Sequence, residues 1–187
     1  GISLPLAVWL AVDDYDHSND PLTISATSLL KPTRALVLAS RMQGESSGDI
    51  SDKAAARLGT AVHTAVEVAW RDRYREGMKL LGYPEHVINA VAINPKVPTE
   101  GINVYMEQRV SKEFMGYTIT GKYDLVIDGQ LHDVKTTSVF TWIKGSNNWD
   151  YTMQGSIYRW LNPEIITGDS LCIEYLFKDW SPTVAKK

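Results

Sequence analysis

Three residues in the segment Gly121–Ser138 are of the right type and spacing to do chemistry together. The segment reads GKYDLVIDGQLHDVKTTS, two apolar-alternating runs around Asp128-Gly129, a two-residue turn signal of the I′ type. Asp124 and Asp133 stand at equal distances from that turn and so face each other across a hairpin. Lys135, two residues on, points to the same side. Carboxylates opposed in this way have Cβ atoms ~5 Å apart and repel. A fold keeps them with a cation between them or a shared proton, and removing one charge is expected to stabilise the metal-free protein. Two carboxylates and a lysine on one face are the groups that metal-dependent phosphodiester cleavage uses. A solvated polar face, with Leu125, Ile127 and Val134 turned to a core behind it, accounts for the same residues.

The elements that must position these groups follow from periodicity and turn chemistry. Ile2–Val12 reads as a packed apolar arm, followed by a turn. It is too short to span a membrane and has no basic region ahead of it, so it is not read as a signal peptide. Ser25 and Thr27 are placed to cap a short helix Ala26–Leu30, which Lys31-Pro32 breaks. A second helix is expected over Thr33–Met42, and residues 43–50 read as a Gly/Ser-rich loop. Ser51 is expected to cap the longest helix, Asp52 to Leu81, with Ala55, Leu58, Val62, Ala65, Val66 and Ala69 as its apolar stripe and His63 and Glu67 on an adjacent face. A short helix Glu85–Val91 and a Pro-rich loop lead to strands Tyr105–Phe114, Tyr117–Ile127 and Gln130–Thr137, an antiparallel meander. Asn148–Leu161 reads as a helix, and Leu171–Lys178 as a buried strand returning parallel to the sheet. This order gives an α/β fold with a mixed central sheet flanked by helices.

Composition bounds the function classes. The 187 residues suit one domain, with 1–50 as an N-terminal helical elaboration and 51–178 as the core. An apolar content of 44% with six Trp excludes global disorder. The single cysteine, Cys172, allows no internal disulfide and no cysteine cluster, which fits a reducing cytoplasm. A net charge of −3 argues against bulk electrostatic binding to nucleic acid. It does not argue against a nuclease, since local clusters and metal ions hold phosphate.

Four pieces then stand in order along the chain: Gly59-x-x-x-His63-x-x-x-Glu67, Gly121-x-x-Asp124, Asp133-x-Lys135, and Gln154-x-x-x-Tyr158. In this order and spacing, over about Ile24 to Lys178, the chain resembles the PD-(D/E)XK nuclease superfamily. The similarity is to its RecB-like and phage exonuclease-like branch, which includes CRISPR-associated exonucleases. The resemblance implies a restriction-endonuclease-like core and a metal-dependent hydrolase of DNA phosphodiester bonds. It further implies an exonuclease of phage or bacterial recombination or DNA repair, at work in the bacterial cytoplasm. By residue, it implies that His63, Asp124, Asp133 and the Val134 carbonyl hold the metal and that Lys135 is the catalytic lysine. Gln154 and Tyr158 would contact DNA or orient the lysine. Asp133 stands where many relatives have Glu, and no cysteines flank the core, so an iron–sulfur cluster is not expected. Oxygen donors suit one or two hard divalent cations, Mg²⁺ or Mn²⁺, with the histidine favouring Mn²⁺. Such a cation polarises the phosphate and acidifies water. Lys135 would orient the water, take its proton or neutralise developing charge.

Other residues carry two readings each. Glu67 is a partner for His63 or an exposed helix carboxylate. Glu107 adds a ligand or second-shell contact, or is a plain strand residue. Arg71, Arg73 and Arg75 with Trp70 and Tyr74 form a phosphate-and-stacking patch or a solvated helix end. Trp142–Tyr151, with Lys144, is a DNA-facing loop or part of the core, and Ser46-Ser47-Gly48 would supply a lid. Two rivals stand beside the nuclease: a catalytically idle DNA-binding module on the same fold, and a small-substrate phosphohydrolase. A broad basic or aromatic surface at the site would argue against the second. DNA is the expected partner, no membrane is expected, and no oligomer interface is readable.

Overall fold

The computed structural model describes residues 2–12, 18, 20–41, 48–145 and 147–185. The expected loop over 43–47, the lid residues Ser46 and Ser47, and the acidic stretch 13–16 lie outside them. The described chain runs through α1 (Leu4–Ala11), β1 (Thr23–Ser25), α2 (Ala26–Leu29), α3 (Thr33–Arg41), a 3₁₀ turn (Ile50–Lys53) and α4 (Ala54–Leu80). It continues through α5 (Glu85–Ala90), β2 (Val91–Ile93), β3 (Ile102–Phe114), β4 (Tyr117–Ile127) and β5 (Gln130–Thr137). The last elements are α6 (Val139–Lys144), α7 (Asn148–Leu161), β6 (Leu171–Phe177) and α8 (Pro182–Ala185). No helix among the described residues is long and apolar enough to cross a membrane.

The fold is α/β with a mixed six-stranded sheet in the order β2-β3-β4-β5-β6, flanked by helices; β1 pairs with β4. β3, β4 and β5 form the expected antiparallel meander. The hairpin has the expected register, with Leu125 opposite His132 and Ile127 opposite Gln130. Asp128 and Gly129 both have positive φ (48° and 83°), as a type I′ turn requires. β6 returns after α7 and pairs parallel to β5 from Leu131↔Leu171 to Thr137↔Phe177. Two strands escape sequence reading, β1 and β2. Each is three residues long, too short for alternation to register, and each pairs parallel to a strand far along the chain.

Helix starts follow local capping. Ser25 accepts from Ser28 N–H at the head of α2. Ser51 does not cap the long helix: Asp49 accepts from Ser51 N–H instead, opening the 3₁₀ turn that feeds α4. Residues 139–144, whose end overlaps the stretch Trp142–Tyr151 read as a DNA-facing loop or core, form a helical turn because Ser138 accepts from Thr141 N–H and Gly145 closes it in the left-handed region. The expected arm is a helix, α1, whose Leu4, Leu6 and Val8 remain exposed while Leu10 is buried.

Two apolar clusters sandwich the sheet. On one face, Val104, Met106 and Leu125 pack with Trp70, Tyr74 and Met78 of α4. On the other, Tyr105, Tyr123, Val126 and Leu131 pack with Tyr158 and Leu161 of α7. The inward residues of α4 are Gly59, Val62, His63, Val66, Glu67, Trp70, Tyr74 and Met78, whereas Ala55, Leu58, Ala65 and Ala69 are exposed. The expected stripe was built on alanines that bury little area and was rotated from the true one. In consequence His63 and Glu67 lie on the sheet-facing side of α4 rather than beside it.

Candidate active site

The site is made by a fork in the sheet. β5 pairs with β4 only at Leu125–Ile127 and then follows β6. The same edge of β4 is taken up again at Thr118–Thr120 by β1. Between these stretches, no strand among the described residues lies beside 121–124 on that edge. Asp124 stands at the fork, and its Oδ2 accepts from Val134 N–H at 2.9 Å. A carboxylate thus satisfies an amide that the departing ladder would leave unpaired.

The rung on the other side of Asp124 is also irregular. Met106 pairs with Leu125 and Gln108 with Tyr123, but Glu107 and Asp124 between them do not pair. Glu107 has φ 52°, an unfavourable conformation for a residue with a Cβ. Side-chain alternation reverses at this rung on both strands. Met106 and Leu125 face α4, while Val110, Ile119 and Tyr123 beyond it pack on the α7 side. On the opposite edge of β3, where the β2 ladder ends at Ile93↔Val104, Asn94 Oδ1 takes up the Met106 N–H at 2.8 Å.

Into this break α4 presents His63. Its Nδ1 lies 3.2 Å from Asp124 Oδ1 and 3.9 Å from Glu107 Oε1, and one donor atom from each of the three falls within 4.8 Å of the others. Glu107 also pairs with Lys122 Nζ. The hydrogen bond to Asp124 raises the His63 pKa, opposed by burial. Asp133 is buried, and its Oδ2 lies 2.6 Å from Lys135 Nζ. Burial raises the Asp133 pKa, and the Lys135 charge opposes the rise. Lys135 Nζ also sits 5.4 Å from the Tyr151 ring centroid. The expected Asp124–Asp133 rung does not form, because the ladder ends at Leu125↔His132, and the two carboxylates have separate counter-charges: His63 for Asp124, and Lys135 for Asp133.

The structure gathers His63, Glu107, Asp124, Asp133, Val134 and Lys135 around the fork. Val134 contributes its N–H here. Other expected residues lie elsewhere or are engaged. Glu67 borders the same small cavity, but its contact is an ion pair with Arg71 at 3.0 Å rather than with His63. Arg71 also meets Asp72, Arg73 pairs with Glu76, and Arg75 donates to Asn89 at 2.7 Å. Trp70 and Tyr74 pack with one side against the α4-side core and stay partly exposed, with the Arg75 guanidinium 5.3 Å from the Tyr74 ring centroid. Tyr158 is only 5% exposed and belongs to the α7-side core. Gln154 Nε2 donates to its Oη at 2.8 Å. Gly121 is what seats Tyr158, because a Cβ at that position would lie 2.7 Å from the ring. Lys144 covers the Phe140 ring at 4.5 Å.

Sequence reasoning missed Lys122 and Asn94. Lys122 stands two residues before Asp124, in the same frame as Asp133-x-Lys135, and that was its available signal. Asn94 precedes Pro95 and carried only the signature of a turn.

No family model and no curated protein matches the chain. Among solved structures it is similar to one described as "Crystal structure of SSO0001". That similarity has a TM-score of 0.56 and 20% identity over 88% of this chain. The match takes in 66% of that chain's length, a likeness of fold.

Proposed function

We propose that this chain is a divalent-cation-dependent deoxyribonuclease with a restriction-endonuclease-like core, of the PD-(D/E)XK superfamily and its RecB-like or phage exonuclease-like branch, acting on DNA in recombination or repair. The observation that carries the reading is the convergence of His63, Glu107, Asp124, Asp133 and Lys135 on one break in the sheet. The donor set fits a metal: a histidine nitrogen and two carboxylates share one small space. His63, Asp124, Asp133 and the Val134 carbonyl, with Glu107, would hold one or two Mg²⁺ or Mn²⁺ ions. A cation there supplies Lewis acidity and positive charge where a phosphodiester reacts.

The chain's own residues do the rest. Val134 N–H and His63 fix the two oxygens of Asp124. Asp133 and the Tyr151 ring hold the Lys135 ammonium in place. From there Lys135 can orient an attacking water, accept its proton through Nζ once neutral, or neutralise charge on the phosphate. An aromatic row begins at Tyr151 and passes through Tyr175 (6.5 Å) and Phe177 (5.9 Å) to Trp142 (5.8 Å), which is half exposed. Such a surface supports a polymeric nucleic acid substrate over a small phosphate ester.

The test is digestion of end-labelled single- and double-stranded DNA, linear and circular, with Mn²⁺ and with EDTA, for wild type and Lys135→Ala. EDTA should abolish cleavage, and Lys135→Ala should slow it by ~100-fold or more with DNA affinity retained. Undiminished cleavage in EDTA, or a wild-type rate in Lys135→Ala, would overturn the proposal.

A further inference from the structure

The side of β5 turned away from Asp133 and Lys135 carries a different set of donors. His132 and Cys172 are direct neighbours in the parallel β5–β6 ladder. Glu174, two residues on, points to the same side as Cys172. Glu174 Oε1 lies 3.1 Å from His132 Nδ1 and 3.3 Å from Cys172 Sγ, and the three donors fall within 4.8 Å of one another. His132 and Glu174 border the groove that Val62, Val66 and Trp70 of α4 form over this face.

We propose that His132, Cys172 and Glu174 form a second cation site, for a borderline-soft divalent ion of the zinc class. Three arguments support it. The donors are a thiol, an imidazole and a carboxylate, the combination that four-coordinate zinc takes, and a thiolate disfavours Mg²⁺ and Mn²⁺. All three sit on two strands paired over their whole common length, so the site is preorganised. One carboxylate oxygen already bridges the thiol and the imidazole, and an ion in that position replaces shared protons. Three protein ligands leave one position open to solvent, where Glu174 is 53% exposed in its side chain. The site is independent of the nuclease reading, because it uses none of the residues around the fork.

The experiment is titration of the whole chain with CoCl₂, followed by absorbance, then competition with ZnCl₂. The expected result is a thiolate-to-cobalt charge-transfer band in the near ultraviolet that ZnCl₂ removes. The band should be absent in Cys172→Ser, weakened in His132→Ala and Glu174→Gln, and retained in Asp124→Asn. ZnCl₂ should raise the melting temperature of wild type and not of Cys172→Ser, since a ligand of the folded state stabilises it. Glu174→Gln is isosteric and exposed, so it keeps the test meaningful if His132→Ala unfolds. No thiolate band on folded wild type would overturn the proposal, as would a band unchanged in both Glu174→Gln and folded His132→Ala.

Discussion

α4 and α7 lie on opposite faces of the sheet, and each carries a polar pair at i, i+4, His63/Glu67 on one and Gln154/Tyr158 on the other. The sequence treats the pairs alike, but the structure does not. On α4 the pair faces a break in the sheet, so His63 meets two carboxylates. On α7 it faces the same stretch of β4 from the other side, where Tyr158 lies over Gly121 and packs edge-on against Tyr123, with ring centroids 6.4 Å apart. The difference lies in what the sheet presents to each helix: the carboxylates of Glu107 and Asp124 on the α4 side, and the bare backbone of Gly121 beside the Tyr123 ring on the α7 side.

This contrast can be broken by mutation. The largest effect belongs to Tyr158→Ala, which removes a buried aromatic and should cost ~3–5 kcal/mol of unfolding free energy in urea. A Tyr158→Ala protein as stable as wild type but inactive would return Tyr158 to the site. His63→Ala should do the reverse. Nuclease activity should fall by ~100-fold while the melting temperature changes little, because no apolar core is lost; unchanged activity would remove α4 from the site.

A smaller effect sharpens the comparison within the fork. Of the two carboxylates at the fork, Asp133 is the buried one with raised pKa, while Asp124 holds Val134 N–H. Asp133→Asn should therefore stabilise the metal-free protein at neutral pH, by ~1 kcal/mol or less, because the burial cost it removes is partly offset by the lost pair with Lys135. Asp124→Asn should not, contrary to what opposed charges alone suggest.

The smallest effect is in pH. The folded-state pKa of His63 is raised above its usual 6.5. Its pairing with Asp124 thus contributes stability fully present below about pH 6.5 and lost as pH rises through the raised value. Metal-free melting temperatures of wild type and Asp124→Asn should converge across that interval, and metal affinity should increase with pH as the imidazole proton leaves. Parallel melting curves at every pH would show that the His63–Asp124 contact contributes nothing.

The hairpin, its turn and its register were legible because Asp128-Gly129 encodes one turn geometry and alternation does the rest. α7 was legible through its 3.6-residue period, and β6 through its apolar run. The face of α4 was misjudged because alanines carry little burial information. Tyr158 was misplaced because Gly121 looked like part of a motif when its role is to make room. The reversal of alternation at Glu107 and Asp124 has no local signature, since neither residue type encodes a left-handed turn or a broken rung. The fork depends on β1 arriving from nearly a hundred residues earlier in the chain.

Glu107 has a consequence for anyone redesigning this molecule. A stability-guided procedure would replace it with glycine, since glycine adopts φ near 52° without penalty. That exchange would also discard a carboxylate from the His63 group and leave Lys122 without its counter-ion. The position is a place where selection for durability and selection for chemistry give opposite answers. A thermostable Glu107→Gly variant with reduced cation binding would show which of the two shaped this strand.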